Sequence, residues 1–165
     1  MNTSDVMTRP AQTCLPQTTL VDASRTMERS GCGALAVLDA AGHLSGIVTD
    51  RDLAIALGRT DHPSSRRRVA EAMTRNVRTC SPDEELDVAL ERMSEAKVRR
   101  LPVVDADGTL QGMLSIDDIV LWGLNRGGVT KKRLAKALRS IYAAHNPLFE
   151  TEEIESSPSN RDLSD

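Results

Sequence analysis

The chain has 165 residues, 39% of them hydrophobic and 2% aromatic, with a formal net charge of −3. One Trp, one Tyr and one Phe call for an aliphatic core and exclude most binding modes that stack bases on aromatic platforms. No apolar run approaches the ~20 residues that span a membrane, the opening MNTSDVMTRP has no signal-peptide pattern, and three cysteines is a low, odd count for a disulfide scaffold. A cytoplasmic protein without a membrane partner is expected.

In chain order, residues 13–15 read as a short extended piece running into Pro16. Leu20, Ala23 and Met27 then share one helical face, with Thr18 or Thr19 as the cap. A hairpin follows: apolar runs at 34–38 and 44–48 flank Asp39-Ala-Ala-Gly42, whose Asp and Gly suit a tight turn. A second helix is expected over 50–58, then a polar linker over 59–70 carrying Arg66-Arg67-Arg68.

From Met73 the chain repeats itself. At an offset of 66 positions, Met7-Thr8-Arg9 recurs as Met73-Thr74-Arg75, Thr13-Cys14 as Thr79-Cys80, Asp39-Ala40-x-Gly42 as Asp105-Ala106-x-Gly108, and Asp52 as Asp118. Without a gap, 17 of 51 aligned positions are identical, so the chain holds two copies of one unit. In the second copy Ser81-Pro82-x-Glu84 predicts an N-cap, a first-turn proline and a capping acid. Leu86, Ala89, Leu90 and Met93 form the helical face, 101–104 and 110–114 the hairpin, and 116–124 the second helix. The fold class is α/β (α+β): two β-α-β-β-α repeats over 5–58 and 71–124, packed about a pseudo-two-fold axis because ~50 residues bury too little surface alone.

These strings are similar to a tandem pair of cystathionine-β-synthase (CBS) domains. The likeness rests on the opening Met-Thr, the Pro before the first helix, the Arg99-Arg100-Leu101-Pro102-Val103-Val104-Asp105 strand and turn, and the closing Gly-x-hydrophobic-Thr/Ser-x-x-Asp, all in order and twice over. It implies a non-enzymatic regulatory module that senses an adenosyl compound (AMP, ADP, ATP or S-adenosylmethionine) in clefts between the repeats, signals by conformational or oligomeric change, and needs no obligatory cofactor. It also implies a homodimer, for which Ile119, Trp122 and Leu124 are candidate contacts.

Thr49-Asp50-Arg51-Asp52 and Ser115-Ile116-Asp117-Asp118 are the most informative local patterns. Each reads first as a helix start, with a hydroxyl cap and an acid in the first turn. The same geometry can bind phosphate at the free N–H groups and a ribose diol at the carboxylate. The resemblance assigns ribose to Asp52 and Asp118, and phosphate or sugar oxygens to Thr49 and Ser115. By position it adds Thr13, Cys32, Gly33 and Ala34 in copy one, and Thr79, Val98, Arg99 and Arg100 in copy two, as residues gripping the adenine. Arg51 has no basic counterpart, and Gly31-Cys32-Gly33 stands opposite the Arg99-Arg100 pair, so one cleft is expected to bind phosphate better than the other.

Two other readings remain open. Over 127–145 an amphipathic helix is expected, with Leu134, Leu138, Ile141 and Tyr142 on one stripe and Lys131, Lys132, Arg133, Lys136 and Arg139 on the other. It either covers the module or, in a dimerising adaptor, binds an acidic protein or nucleic acid together with Arg66–Arg68. The 150–165 tail, at about −5 net charge, reads as disordered. Tethered beside those cations, it argues against nucleic-acid binding at physiological salt. Cys14, Cys32 and Cys80 could make a redox or metal responder, but no C-x-x-C or nearby His supports a metal site, and His43, His62 and His145 are scattered.

Overall fold

The computed structural model describes residues 1–59 and 66–144. Strand β1 (Thr13–Cys14) lies parallel to β2 (Ala34–Leu38), with Cys14 opposite Val37. Helix α1 (Leu20–Ser30) intervenes, and β2 turns antiparallel into β3 (Leu44–Thr49), in sheet order β1-β2-β3. Helix α2 (Asp50–Gly58) follows without a gap. In the second repeat Cys80 bridges in parallel to Val103, the counterpart of Cys14 and Val37. Helix α3 (Leu86–Ala96) and the hairpin β4 (Arg100–Val104)–β5 (Leu110–Ser115) come next. Helix α4 (Ile116–Asp118) opens directly into a wider π turn, Ile119–Gly123, and α5 (Lys131–Ala143) closes the described chain.

The local chemistry explains these elements. Thr19 caps α1 by accepting the Asp22 N–H at 3.0 Å, and Gly31 ends the helix at φ 63°. In the two hairpin turns Asp39 Oδ1 accepts the N–H groups of Ala41 and His43, and Asp105 Oδ1 those of Asp107 and Thr109. The His43 N–H first, then that of Ala41, hold the Asp39 carboxyl below its ordinary pKa. Gly42 and Gly108 supply the positive φ, 87° and 80°.

The cores cross over. Leu20, Ala23, Met27, Leu35, Val37, Val48 and Leu53 form one cluster, completed by Val69 and Met73 from beyond the linker. Leu86, Leu90, Met93, Leu101, Val103, Leu114 and Ile119 form the other, completed by Val6 and Met7 from the start of the chain. The segment that precedes each repeat thus packs on the other repeat. Thr74 bridges to Ile47, and its counterpart Thr8 bridges to Met113. Gly46 and Gly112 permit this approach: a Cβ on either would lie 2.9 Å from the carbonyl oxygen of Thr74 or Thr8.

Four sequence expectations change. Ser81-Pro82 does not start α3, whose N-cap is Glu85. The Ser81 and Pro82 carbonyls instead accept the Thr3 hydroxyl, and Pro82 also accepts the Ser4 N–H at 3.0 Å, so the incoming N-terminal segment claims the carbonyls that a helix starting there would have used for its first backbone bonds. The linker ends earlier than residue 70, because Val69 is fully buried and Val69–Glu71 forms a 3-10 turn hydrogen-bonded to Pro16 and Thr18. The helix expected over 116–124 is broken at its centre. A Cβ on Gly123 would come 2.8 Å from Leu86, so the backbone itself packs there, and the Leu124 N–H reaches back five residues to Ile119. Ile119 is core and Leu124 rests half-buried against it, so of the three contacts expected for a dimer only Trp122 is exposed. His62, His145 and the 150–165 tail lie outside the described residues.

The basic helix is narrower than expected, and its stripe faces inward except at Tyr142, which is 45% exposed. Leu134, Ala137 and Ile141 are buried against the second core, and Arg133 pairs with Asp87 on α3. The arginines beside the linker are also engaged structurally: Arg67 pairs with Glu71 at 3.2 Å, and Arg68 donates to the Gln17 carbonyl at 2.9 Å.

Candidate functional site

Both Thr/Ser-x-x-Asp boxes form the predicted helix starts. The Thr49 N–H and hydroxyl donate to Asp52 Oδ2 at 2.9 and 2.8 Å, and the Asp52 N–H returns to Thr49 Oγ1 at 3.2 Å. Ser115 and Asp118 repeat the pattern at 2.8, 2.6 and 3.1 Å. Capping therefore occupies one carboxylate oxygen in each box. The second oxygens differ. Asp118 Oδ1 accepts the Thr8 hydroxyl at 3.1 Å, whereas Thr74, the counterpart of Thr8, makes no side-chain bond among the described residues, and Asp52 Oδ1 stays open.

Asp52 lies in a cleft of about 660 Å³, within the size range of small-molecule sites. From repeat one come Ile47, Thr49, Arg51 and Asp52, carried by the end of β3 and the first turn of α2. From repeat two come Thr74, Asn76, Val77 and Arg78 of the crossing segment, and Ala96, Lys97, Val98, Arg99 and Arg100 between α3 and β4. Ile47, Val77, Ala96 and Val98 give it an aliphatic wall, suited to a base where no aromatic platform exists. Arg51, Arg78, Lys97, Arg99 and Arg100 supply five cations against the Asp52 carboxylate, and none of the five is ion-paired among the described residues.

The expected residues are thereby regrouped. Thr49, Arg51 and Asp52 share one cleft with Val98, Arg99 and Arg100, which the repeat frame had placed in the other copy's site. Thr13, Cys32, Gly33 and Ala34 do not line it. Thr13 is exposed on β1, and Ala34 is buried opposite Thr49 in the β2–β3 ladder. Thr79 lies in a separate opening beside the hairpin tips, with His43 and Asp107. Ser115 and Asp118 sit at the pseudo-equivalent corner with Thr8. Sequence reasoning missed Asn76, Arg78 and Lys97. The only available signal was that the repeated Met-Thr-Arg motif precedes two of them, and nothing in it shows that the segment crosses to the other repeat.

Two of the three thiols are held in their protonated form. Burial pushes the Cys14 pKa up to about 11, and burial with the Glu84 carboxylate pushes that of Cys80 up to about 12, so both stay protonated at neutral pH. Among the described residues no cluster of His, Cys, Asp and Glu could hold a metal ion, and no helix is long and apolar enough to cross a membrane.

Two βαββα units with exchanged leading segments, and a small-molecule cleft where they meet, define a tandem-repeat binding module. The CBS domain family model matches residues 4–59 and 69–125, and the chain belongs to that family as a pair of CBS domains. It is similar to the CBS domain pair of protein MJ0100 in complex with 5′-methylthioadenosine and S-adenosyl-L-methionine: 28% identity, TM-score 0.69, 76% of this chain and 98% of that one. It is also similar to CBSX2 in complex with AMP, at 30% identity and TM-score 0.66 over 75% of this chain and 96% of that one. Inosine-5′-monophosphate dehydrogenase of Mycobacterium leprae is 33% identical over 109 residues, 66% of this chain but only 20% of that enzyme, so the likeness covers a CBS part and not the whole protein.

Proposed function

We propose that the protein is a non-catalytic regulatory module that binds an adenosyl ligand in the cleft between its CBS repeats and signals by a change of conformation or assembly. The observation that carries this reading is the open Oδ1 of Asp52, a residue lining a cleft with an aliphatic wall and a cationic rim. Asp52 would accept the ribose diol, Thr49 and the α2 N-terminus would meet sugar or phosphate oxygens, and Val77 and Val98 would flank the base. The adenosyl ligands named for the two similar CBS pairs support the same class.

The test is a thermal-shift screen against AMP, ADP, ATP, 5′-methylthioadenosine and S-adenosylmethionine. Ligand at 100 times its dissociation constant adds about 2.7 kcal/mol to the folded state. Asp52→Ala should cut the shift to about half or less. If no adenosyl compound raises the melting temperature, the reading fails.

Assembly as a homodimer belongs to the same proposal. Ile55 on α2 and Leu121 in the π turn, at equivalent positions of the two repeats, are 40% and 59% exposed, and Trp122 beside Leu121 is 49% exposed. A second copy of this chain would cover that face, and a monomeric mass by light scattering at micromolar concentration would remove the claim. The adaptor reading loses support, because α5 spends its apolar stripe and Arg133 on the second repeat.

A further inference from the structure

The five cations of the cleft stand at positions whose counterparts in the other repeat carry no positive charge. Arg51, Arg78, Lys97, Arg99 and Arg100 correspond to Asp117, Gln12, Gly31, Gly33 and Ala34. Two copies of one unit have therefore diverged most sharply in charge, and all on one side of the pseudo-symmetry. The pseudo-equivalent corner carries Asp117 and Asp118 instead, and the second oxygen of Asp118 is already bonded to Thr8.

The backbone at Lys97 points the same way. Gly31 and Lys97 both end a first helix in the left-handed region, at φ 63° and 54°. Glycine adopts that conformation without penalty, and lysine does not. Repeat two thus tolerates a strained backbone to hold an ammonium at the rim of the cleft, and strain of this kind concentrates at ligand clamps.

We propose that this cleft takes one polyphosphate-bearing adenine nucleotide per chain, in preference to uncharged or cationic adenosyl compounds, and that the pseudo-equivalent corner takes none. The inference rests on the adenosyl reading for the base and ribose, and on the cations alone for the phosphates. These cations are unpaired among the described residues and, Arg100 apart, exposed; they repel one another, and a chain of phosphates relieves that repulsion while forming charge-assisted hydrogen bonds to the guanidinium groups. S-adenosylmethionine is a net cation and would add to the repulsion.

Isothermal titration at fixed ionic strength with adenosine, AMP, ADP, ATP and S-adenosylmethionine tests this, with inorganic tripolyphosphate as a competitor that lacks base and ribose. Affinity should rise with each phosphate, ATP should bind once per chain, and tripolyphosphate should displace it. Arg99→Gln/Arg100→Gln should narrow the preference for ATP over adenosine by about tenfold or more. Lys97→Gly should narrow it less while raising the melting temperature, which guards against a variant that merely misfolds. The proposal is overturned if adenosine or S-adenosylmethionine binds as tightly as ATP, or if two ATP bind per chain. Adenosine binding as well as ATP would leave the adenosyl reading standing. Tripolyphosphate binding alone, with no gain from the base and ribose, would keep the phosphate site and overturn the adenosyl reading.

Discussion

Repeat one and repeat two build the same corner: a hydroxyl cap and an aspartate three residues on, at the start of the helix after the hairpin. At Asp52 the corner opens on a cationic cleft; at Asp118 the second carboxylate oxygen is bonded to a threonine. The two differ below the corner as well. Helix α2 runs regularly for nine residues, whereas α4 gives way to a π turn and is followed by a helix, α5, that covers α3. The identical positions are those that cap, turn and fill cores. The divergent ones include the five cations of the cleft and the helix that covers repeat two, so the two copies share a scaffold and differ in charge at the cleft.

The largest expected effect tests the dressing of repeat two. Leu134 is buried between α5 and α3, and Leu134→Ala should cost about 2–5 kcal/mol, read as a lower urea midpoint. Among the described residues repeat one has no helix in the corresponding place. A loss below ~1 kcal/mol would mean that α5 is an appendage and that the two repeats are more alike than they look.

Next is the contrast between the aspartates. Asp52→Ala should weaken nucleotide binding by about 1.5–3 kcal/mol through the lost hydrogen bonds to a charged group, and Asp118→Ala should change it little. Both should lower stability by a similar few tenths to ~1 kcal/mol, since both remove a first-turn carboxylate. Equal losses of affinity in a titration would restore symmetry to the clefts.

Gly46→Ala and Gly112→Ala sharpen the comparison from the shared side. Each Cβ would press on a backbone carbonyl of the crossing segment, and each should cost about 1–3 kcal/mol by overpacking, measured in the same denaturation series. Matching costs support the exchanged segments. A harmless substitution at either glycine would place that segment elsewhere. The smallest effect has the opposite sign: Lys97→Gly should stabilise the fold by up to ~1 kcal/mol by relieving the left-handed backbone, visible as a higher midpoint at unchanged slope.

Much of this was legible in the chain of residues. Period-3.6 apolar positions such as Leu86, Ala89, Leu90 and Met93, and the Asp and Gly of the two turns, act within a few residues of themselves, so the elements and their order followed from local physics. The capping boxes were legible for the same reason. Ser81-Pro82 misled because its cap signal is local while its partners, Thr3 and Ser4, are some eighty positions away.

The sequence by itself determined that two like units exist, that their cores are aliphatic and where the helix after each hairpin starts. Only the tertiary structure decided which segment serves which core, and hence which cations meet. Arg51, Arg78 and Arg99 come together because the chain that precedes each repeat crosses to the other. Burying Val69 and Met73 on repeat one, and Val6 and Met7 on repeat two, removes apolar surface from water whichever unit it came from. The hydrophobic effect is blind to sequence order, so the 66-residue repeat could not reveal the exchange, and the cleft formed by that exchange could not be read from either copy alone.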